Sequence, residues 1–270
     1  MKHIIFQNKK IFYRTEGKGE PVMLLHGFAE DGNIWDYQLK KLKEKFYLIV
    51  PDLPGSGKSE MLEGEILIED YAEVIKAIVD VEIINKEKGK KKLFTLIGHS
   101  MGGYITLAFA EKYPELLNAI GLFHSTAYAD DEVKKETRRK GIEFIKSDGV
   151  FAFINNTTPN LFSGKTKKEN PGLVKNLINL CKDFSSESLI QYYKAMIQRP
   201  DRILVLKSFQ QPILFIIGKH DNAVPLQSSL EQCYLPSISH IRILQNSGHI
   251  SMWEEKDQAS AFLLNFLLLK

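Results

Sequence analysis

The sequence predicts an α/β protein built on a mostly parallel sheet with helices on both faces. Short strand-like runs alternate with amphipathic segments of helical length, as in a sheet whose strands are joined by crossover helices. Residues 21–25 are apolar throughout, as expected of a strand that is covered on both sides. Eight strands are predicted, with the first two forming a hairpin, at residues 3–7, 10–15, 21–25, 46–50, 93–97, 119–123, 212–217 and 240–244.

The segment from about 126 to 200 interrupts this alternation because it contains no strand-like run. An all-helical insertion between two parallel strands would lie over their C-terminal edge, where open α/β sheets bind ligands. We therefore expect residues 1–125 and 200–270 to form the core and residues 126–199 to form a helical cap, or lid. Helices are predicted at 34–43, 69–88, 101–112, 225–233 and 257–268 in the core, and at roughly 130–147, 149–156, 172–183 and 186–198 in the cap, with an irregular link at 157–171.

Length and composition suit one sizeable hydrophobic core, with room for a small subdomain, in a soluble cytoplasmic protein. The chain has 270 residues, 44% of them hydrophobic, and a net charge of only +3, which gives no indication of a nucleic-acid or membrane partner. The basic run at 86–92 lacks an aromatic stacking platform and suits a solvated loop. The apolar runs at 4–6 and 261–269 are too short for a secretion signal or a membrane span. Cys181 and Cys233 lack metal-type spacing, so we expect reduced structural thiols.

The strongest chemical motif follows the predicted strand 93–97. Residues 98–103 are Gly-His-Ser-Met-Gly-Gly, and a good helical segment comes next, which is the strand–turn–helix setting of a G-x-S-x-G nucleophile elbow. In such an elbow the serine stands on a tight, strained turn. Small residues at Gly98 and Gly102 let the neighbouring backbone approach closely. We therefore predict that Ser100 is a nucleophile.

A second motif ends the predicted strand 21–25. The chain leaves the sheet through His26, Gly27 and Phe28, close to where the elbow should lie. The backbone N–H groups of Phe28 and Met101 could together face a developing oxyanion, and removing one such donor in known enzymes costs about 10²–10³ in rate. A plain strand-to-loop turn with a structural His26 is the alternative.

Two further candidates follow the last two predicted strands. Asp221 comes after 212–217, and His249 comes after 240–244. A parallel sheet would bring both residues to the same edge as Ser100. A serine hydroxyl is a poor nucleophile at neutral pH unless a base takes its proton and a carboxylate fixes the tautomer of that base. The three residues together therefore predict a catalytic triad.

These motifs resemble those of the α/β-hydrolase superfamily, in its capped branch of small esterases, haloperoxidase-like enzymes and C–C bond hydrolases. The chain order of nucleophile, acid and base is the order that this superfamily uses. The matching stretches are residues 26–28, 52–59, 98–103, 218–221 and 248–249.

The resemblance implies an α/β-hydrolase fold with an inserted helical cap. It implies that Ser100 is the nucleophile, Asp221 the acid and His249 the base, with Phe28 and Met101 donating to the oxyanion. Segment 52–59 would be a structural loop, and it fails as a P-loop because Asp52 stands where the first glycine is required. A serine nucleophile argues against dehalogenase and epoxide hydrolase chemistry, for which this superfamily uses an aspartate.

The sequence thus predicts a serine hydrolase that acts on a small or medium, partly apolar ester or related acyl compound, without a metal ion or organic cofactor. C–C bond hydrolysis of a β-diketone-like substrate and a ligand-binding signalling role with slow turnover remain alternatives, and the chain is expected to be a monomer or a homodimer. His124 could line the pocket, whereas His99 is expected to point elsewhere. Candidate pocket residues in the cap, each of which is more simply explained by packing, are Phe144, Phe151, Phe153, Phe162, Tyr192 and Tyr193.

Overall fold

All eight predicted strands form, and they pair into one mostly parallel sheet. The computed structural model describes residues 1–85 and 92–270, so nearly all of the predicted basic loop at 86–92 lies outside the described residues. The strands are β1 (Lys2–Phe6), β2 (Lys9–Glu16), β3 (Glu20–Leu25), β4 (Phe46–Pro51), β5 (Phe94–His99), β6 (Leu117–Phe123), β7 (Ile213–Gly218) and β8 (Ser239–Leu244).

The sheet has the strand order β1-β2-β4-β3-β5-β6-β7-β8. Strand β2 runs antiparallel to both β1 and β4, and every other neighbouring pair is parallel. The predicted hairpin between β1 and β2 turns at Gln7 and Asn8, which both have positive φ, 48° and 62°. Two consecutive residues in this region match the twist of a tight two-residue hairpin.

Helices connect and cover the strands. They are α1 (Asp36–Leu42), α2 (Ile68–Val79), α3 (Met101–Lys112), α4 (Glu132–Thr157), α5 (Gly164–Glu169), α6 (Pro171–Cys181), α7 (Ser186–Gln198), α8 (Ile203–Ser208), α9 (Leu226–Cys233), α10 (Ser251–Glu254) and α11 (Lys256–Leu269). Short 3₁₀ turns occur at Gly32–Trp35, Pro114–Leu116 and Thr158–Leu161. Every residue of β5 and β7 is buried, because helices cover both faces of the sheet.

The structure corrects two expectations about helices. The helix expected at 69–88 changes at Val79 into a π-helical turn, Asp80–Ile84. The link expected at 157–171 is not irregular throughout, because it contains a 3₁₀ turn and α5. The hydroxyl of Ser163 caps α5 by accepting from the Thr166 N–H at 3.2 Å. By contrast, the break expected between helices at 130–147 and 149–156 occurs within α4, where Gly149 has a non-helical φ of 84°.

Two further features bear on the expectations from composition. In the part of the chain that the structure describes, no helix combines the length and apolar character needed to cross a membrane. Cys181 and Cys233 are both buried free thiols, and burial raises the pKa of each.

Strands β3, β5, β6, β7 and β8 lie side by side and run in the same direction. Their C-terminal ends therefore share one edge of the sheet, and the loops that leave them meet there. These loops carry the predicted site: residues 26–28 follow β3, Ser100 follows β5, Asp221 follows β7 and His249 follows β8.

Helix α3 packs unusually close to the sheet at the elbow. A Cβ atom at Gly98 would overlap the carbonyl group of Gly102, and one at Gly102 would lie 2.6 Å from the carbonyl oxygen of His26. These neighbours are backbone atoms, which cannot move aside as a flexible side chain can. Both glycines are therefore required by the close contact between β3, β5 and the start of α3.

We predict that Gly98→Ala lowers the free energy of unfolding by at least about 1–3 kcal/mol, because the added methyl group overpacks this contact. Urea denaturation measures the change. Gly164→Ala is the matched control, since a Cβ atom there meets nothing within 4 Å. Equal stability losses in the two variants would contradict the steric argument.

Candidate active site

A cavity of about 490 Å³ opens at the C-terminal edge of the sheet, which is a volume typical of small-molecule sites. Ser100 and His249 both line it. The inserted helices between β6 and β7 supply part of its wall through α4, α7 and the turn at Leu161. The cavity thus lies between the sheet edge and the helices that the sequence predicted as a cap.

Ser100 stands on a strained turn between β5 and α3. Its φ of 51° lies in the left-handed region, where a residue other than glycine is held at a cost of about 1–3 kcal/mol. The backbone N–H of Ser100 donates to the Phe123 carbonyl at 3.0 Å, which fixes the turn against β6. Its hydroxyl makes no hydrogen bond to any described residue, so it is free to face the cavity.

Asp221 and His249 are in direct contact. The Nδ1 atom of His249 lies 2.7 Å from Oδ2 of Asp221, and both side chains are buried. A histidine that donates from Nδ1 to a carboxylate leaves Nε2 as the nitrogen available to accept a proton. The backbone N–H of His249 also donates to the Leu161 carbonyl at 2.7 Å, so an inserted helical turn holds the loop that carries this imidazole.

Both carboxylate oxygens of Asp221 have hydrogen-bond partners. Its Oδ1 atom accepts from the N–H groups of Ala223 at 2.8 Å and Val224 at 2.9 Å. Burial alone raises the pKa of Asp221. The charge of His249, together with hydrogen bonds from His124 and His249, outweighs burial and holds that pKa far below its ordinary value. Asp221 is therefore a permanent anion at neutral pH.

A second histidine contacts the same carboxylate oxygen. Nδ1 of His124 lies 3.1 Å from Oδ2 of Asp221, and its Nε2 lies 2.6 Å from the Ser251 hydroxyl. Burial lowers the pKa of His124 to about 4, despite the opposing effect of Asp221, so this imidazole is neutral at pH 7. His124 was expected as a pocket residue, but it lies beneath Asp221 and does not line the cavity. Its only sequence signal is its position at the end of β6.

Glu30 and His99 form a buried pair that connects three loops. Oε2 of Glu30 accepts from Gly27 N–H at 2.7 Å and lies 2.9 Å from Nδ1 of His99. Nε2 of His99 lies 3.0 Å from the carbonyl oxygen of His249. When Glu30 is ionised, both partners of the ring are acceptors, and this geometry then favours a proton on each ring nitrogen, which makes His99 an imidazolium. Sequence reasoning missed Glu30, although an acidic residue so soon after the His-Gly pair is an available signal.

The pKa shifts agree with this charge assignment. Burial lowers the pKa of His99, but the charge and hydrogen bond of Glu30, with a further hydrogen bond to the His249 carbonyl, raise it above its ordinary value. Burial raises the pKa of Glu30, and the charge of His99 lowers it further than burial raises it. His99 turns away from the cavity and toward Glu30, as the sequence suggested that it would point elsewhere.

The backbone groups expected to hold an oxyanion are available. Met101 is the first residue of α3, where an N–H has no acceptor within the helix. Phe28 lies in the turn after β3, and its N–H has no hydrogen-bond acceptor among the described residues. Phe28 also lines the cavity beside Ser100, and its ring stacks on Tyr193 with centroids 4.3 Å apart.

His26 supports this arrangement from below. Its Nε2 atom accepts from the N–H of Leu53 at 2.9 Å and lies 2.8 Å from the Ser56 hydroxyl. Asp52 accepts from the backbone N–H of Gly32 at 3.1 Å and from that of Lys58 at 3.0 Å. Segment 52–59 is thus tied to the loop after β3 by internal hydrogen bonds, in keeping with its interpretation as a structural loop.

The aromatic residues expected in the cap are divided between packing and the cavity. Tyr193 lines the cavity, whereas Phe151 is exposed and Phe153, Phe162 and Tyr192 are buried. The Tyr192 hydroxyl donates to the Pro54 carbonyl at 2.7 Å. Most of these aromatic residues therefore serve in packing. The remaining one, Phe144, is half-buried and also packs against the hydrophobic core.

One group of described residues has the spacing of metal ligands. Nitrogen and oxygen atoms of His124, Asp221 and His249 lie within 4.8 Å of one another. The same three side chains form the two histidine–aspartate hydrogen bonds, so hydrogen bonding accounts for their proximity.

Comparison with known proteins assigns the chain to a family. A family model described as the alpha/beta hydrolase fold matches residues 20–256. The chain is 27% identical to a 2-hydroxy-6-oxononadienedioate/2-hydroxy-6-oxononatrienedioate hydrolase of Escherichia coli over 285 aligned positions, which cover 96% of this chain and 91% of that protein. It also matches an uncharacterized protein of Mycobacterium tuberculosis at 28% identity, over 44% of this chain but only 33% of that relative.

Solved structures give the same result. A thermophilic esterase from Thermogutta terrifontis superimposes with a TM-score of 0.91 at 25% identity, covering 98% of this chain and 97% of that one. An enol-lactonase from Burkholderia xenovorans shares the fold, with a TM-score of 0.89 at 19% identity over 99% and 100% of the two chains. On the match of the family model over most of its length, the chain belongs to the α/β-hydrolase fold family.

Proposed function

We propose that the protein is a serine hydrolase in which Ser100 is the nucleophile, His249 the general base and Asp221 the acid that orients the base. The observation that carries this proposal is the 2.7 Å contact between Asp221 and His249, at a cavity that Ser100 also lines. Direct contact between Ser100 and His249 would form when substrate binds, since catalytic hydrogen bonds are often long in free enzymes.

The proposed reaction is acyl transfer to water. Ser100 attacks the substrate carbonyl while Nε2 of His249 accepts its proton. The N–H groups of Phe28 and Met101 hold the oxygen that becomes negatively charged. His249 then protonates the leaving group, and a water molecule activated by His249 releases the acyl group from Ser100. No step requires a metal ion or an organic cofactor.

The cavity supports a small or medium acyl substrate. Its wall is largely apolar at Phe28, Leu161, Tyr193, Met196 and Val224. We propose that residues 126–199 act as the cap and that substrate binds between them and the sheet edge. A small or medium ester with a partly apolar acyl group suits a cavity of about 490 Å³.

Hydrolytic C–C cleavage is a second candidate function. The observation that favours it is the match to the Escherichia coli 2-hydroxy-6-oxononadienedioate/2-hydroxy-6-oxononatrienedioate hydrolase, which covers nearly all of both chains. Parallel assays with 4-nitrophenyl butyrate and a β-diketone-like substrate separate the two chemistries. Faster turnover of the ester supports the first function, and turnover of the diketone alone supports the second.

We predict that a fluorophosphonate probe labels the wild-type protein on Ser100, because the proposed base and oxyanion donors activate that hydroxyl. Peptide mass spectrometry locates the adduct. Ser100→Ala should lose all labelling, whereas Ser147→Ala, which alters an exposed serine, should be labelled as the wild type is. A folded wild-type protein that stays unlabelled would rule out the proposed nucleophile.

Asp221→Asn should retain the fold and lower kcat by about 10⁴, because an amide cannot hold His249 in the tautomer that the base requires. Steady-state kinetics on 4-nitrophenyl butyrate and circular dichroism measure the two effects. The control is Asp257→Asn, which alters an exposed carboxylate on α11. Near-normal turnover in Asp221→Asn would show that another residue is the acid.

The Glu30–His99 pair should give a defined pH dependence of stability. Because the pKa of His99 is raised above its ordinary 6.5, its stabilising contribution is complete below pH 6.5 and is lost as the pH rises through the folded pKa. Because the pKa of Glu30 is lowered below 4.5, its contribution is present above pH 4.5 and is lost as the pH falls through the folded value. The pair therefore stabilises the fold most between these two ordinary values.

Glu30→Gln should lower the titration midpoint of His99, since the amide removes the charge that favours the imidazolium. NMR titration of the imidazole resonances measures this midpoint, and Glu44→Gln, at an exposed position, is the control. The same His99 midpoint in the wild type and in Glu30→Gln would contradict the assignment of a buried ion pair.

A further inference from the structure

Arg138, which lines the cavity, shares one carboxylate with Arg199, which lies behind it. Asp130 precedes α4, and its side chain is fully buried. Its carboxylate lies 2.6 Å from Nε of Arg138 and 2.9 Å from a terminal nitrogen of Arg199. Within residues 1–85 and 92–270, Asp130 is the one carboxylate in ion-pair distance of either guanidinium. The cluster therefore carries one positive charge in excess.

Arg138 is the member of this pair with unused donors. Arg199 donates to the carbonyls of Met196 and Tyr128 as well as to Asp130, and it stacks over the Tyr104 ring at 3.9 Å. Arg138 donates only to Asp130, and its second terminal nitrogen makes no hydrogen bond to a described residue. Its side chain is only 12% exposed, and the residue lines the cavity. An unpaired positive charge that is so largely buried has a desolvation cost, which an anion bound beside it would offset.

The Tyr104 hydroxyl lies in the same cavity without a partner. Tyr104 is 4% exposed, lines the cavity one helical turn after Ser100, and its hydroxyl makes no hydrogen bond to the described part of the chain. A buried phenol ordinarily finds a hydrogen-bond partner. Tyr104 therefore presents an unused donor toward whatever occupies the cavity.

Helix α4 adds a second cation to the same wall. Lys134 and Arg138 are four residues apart and thus lie on one face of α4, and both line the cavity. The ammonium group of Lys134 donates to the Ala223 carbonyl at 2.7 Å and forms no ion pair with a described carboxylate, although Asp131 also lines the cavity. The cluster of Arg138, Arg199 and Asp130, with two cations and one carboxylate, thus keeps its own excess positive charge.

The electrostatic environment of Tyr104 is consistent with this count. Burial raises the pKa of its hydroxyl, but the charges of Arg199, Arg138 and Lys134 together lower it below the ordinary value, against the opposing charge of Asp130. The same positive charges would stabilise another anion placed beside this hydroxyl.

We propose that Arg138 and Tyr104 form an anion subsite, and that the substrate is an acyl compound with a carboxylate group remote from the bond that is cleaved. The carboxylate would accept from the free guanidinium nitrogen of Arg138 and from the Tyr104 hydroxyl. The reacting carbonyl would then lie at Ser100 in the same cavity. This inference rests on the proposed serine hydrolase function and assigns its substrate class.

The test compares two esters of equal acyl length, 4-nitrophenyl hydrogen adipate and the uncharged 4-nitrophenyl hexanoate. The wild type should show a kcat/KM at least about tenfold higher for the adipate ester, as expected for hydrogen bonds to a charged group. Arg138→Gln and, independently, Tyr104→Phe should lower this ratio by about tenfold or more. The matched control is Arg139→Gln, which removes the same charge from an exposed neighbour on α4.

A binding measurement separates this inference from the proposed function. Titration calorimetry with adipate should show binding to the wild type and to Arg139→Gln, and much weaker binding to Arg138→Gln. Equal rates on the two esters, or equal ratios in Arg138→Gln and Arg139→Gln, would overturn the anion subsite. Adipate binding that depends on Arg138, in a protein that hydrolyses neither ester and is not labelled at Ser100, would leave the subsite in place and overturn the hydrolase function.

Discussion

The contact between Asp221 and His249 is the constraint around which the rest of the site is arranged. It places a carboxylate in a buried position, where an anion is stable only with several donors. Two backbone N–H groups and two imidazoles supply them. These donors come from the loops after β6, β7 and β8, so the parallel sheet must bring neighbouring loops to one edge before the carboxylate can be accommodated.

A second buried contact, between Glu30 and His99, also joins loops around Ser100. Glu30 and His99 join the loop after β3 to the elbow, and His99 reaches the backbone of the loop that carries His249. His99, which precedes Ser100 in sequence, thus connects the loop after β3 with the loop that carries His249. Burying such a pair has a desolvation cost, and good geometry with additional hydrogen bonds offsets it. We interpret the pair as a means of positioning these loops relative to one another.

The sequence predicts much of this architecture because the relevant signals are local. All eight strands follow from apolar runs, and the glycines around Ser100 follow from the space that a tight turn leaves. The position of Asp221 and His249 at one edge follows from strand direction alone. Helix α5 was missed because it is six residues long and depends on the cap at Ser163 rather than on a hydrophobic pattern.

Other parts of the site depend on contacts between residues far apart in the chain. The partnership of Glu30 with His99 joins residues that are 69 positions apart, and His124 meets Asp221 across 97 positions. No periodic pattern in the sequence indicates these contacts. The same holds for Arg138 and Arg199, whose shared carboxylate is visible only when α4 and the end of α7 pack together. Side-chain identity indicates that such residues need partners, but the fold decides which partners they find.

The most direct test of the account is a crystal structure of the protein after reaction with a phosphonate ester that mimics the tetrahedral intermediate. We predict phosphorus bonded to Oγ of Ser100, with a phosphonyl oxygen within about 2.7–3.1 Å of the N–H groups of Phe28 and Met101. Nε2 of His249 should lie within hydrogen-bonding reach of the Ser100 oxygen. Phosphorus on a different residue, or an imidazole turned away from Ser100 in the adduct, would contradict the account.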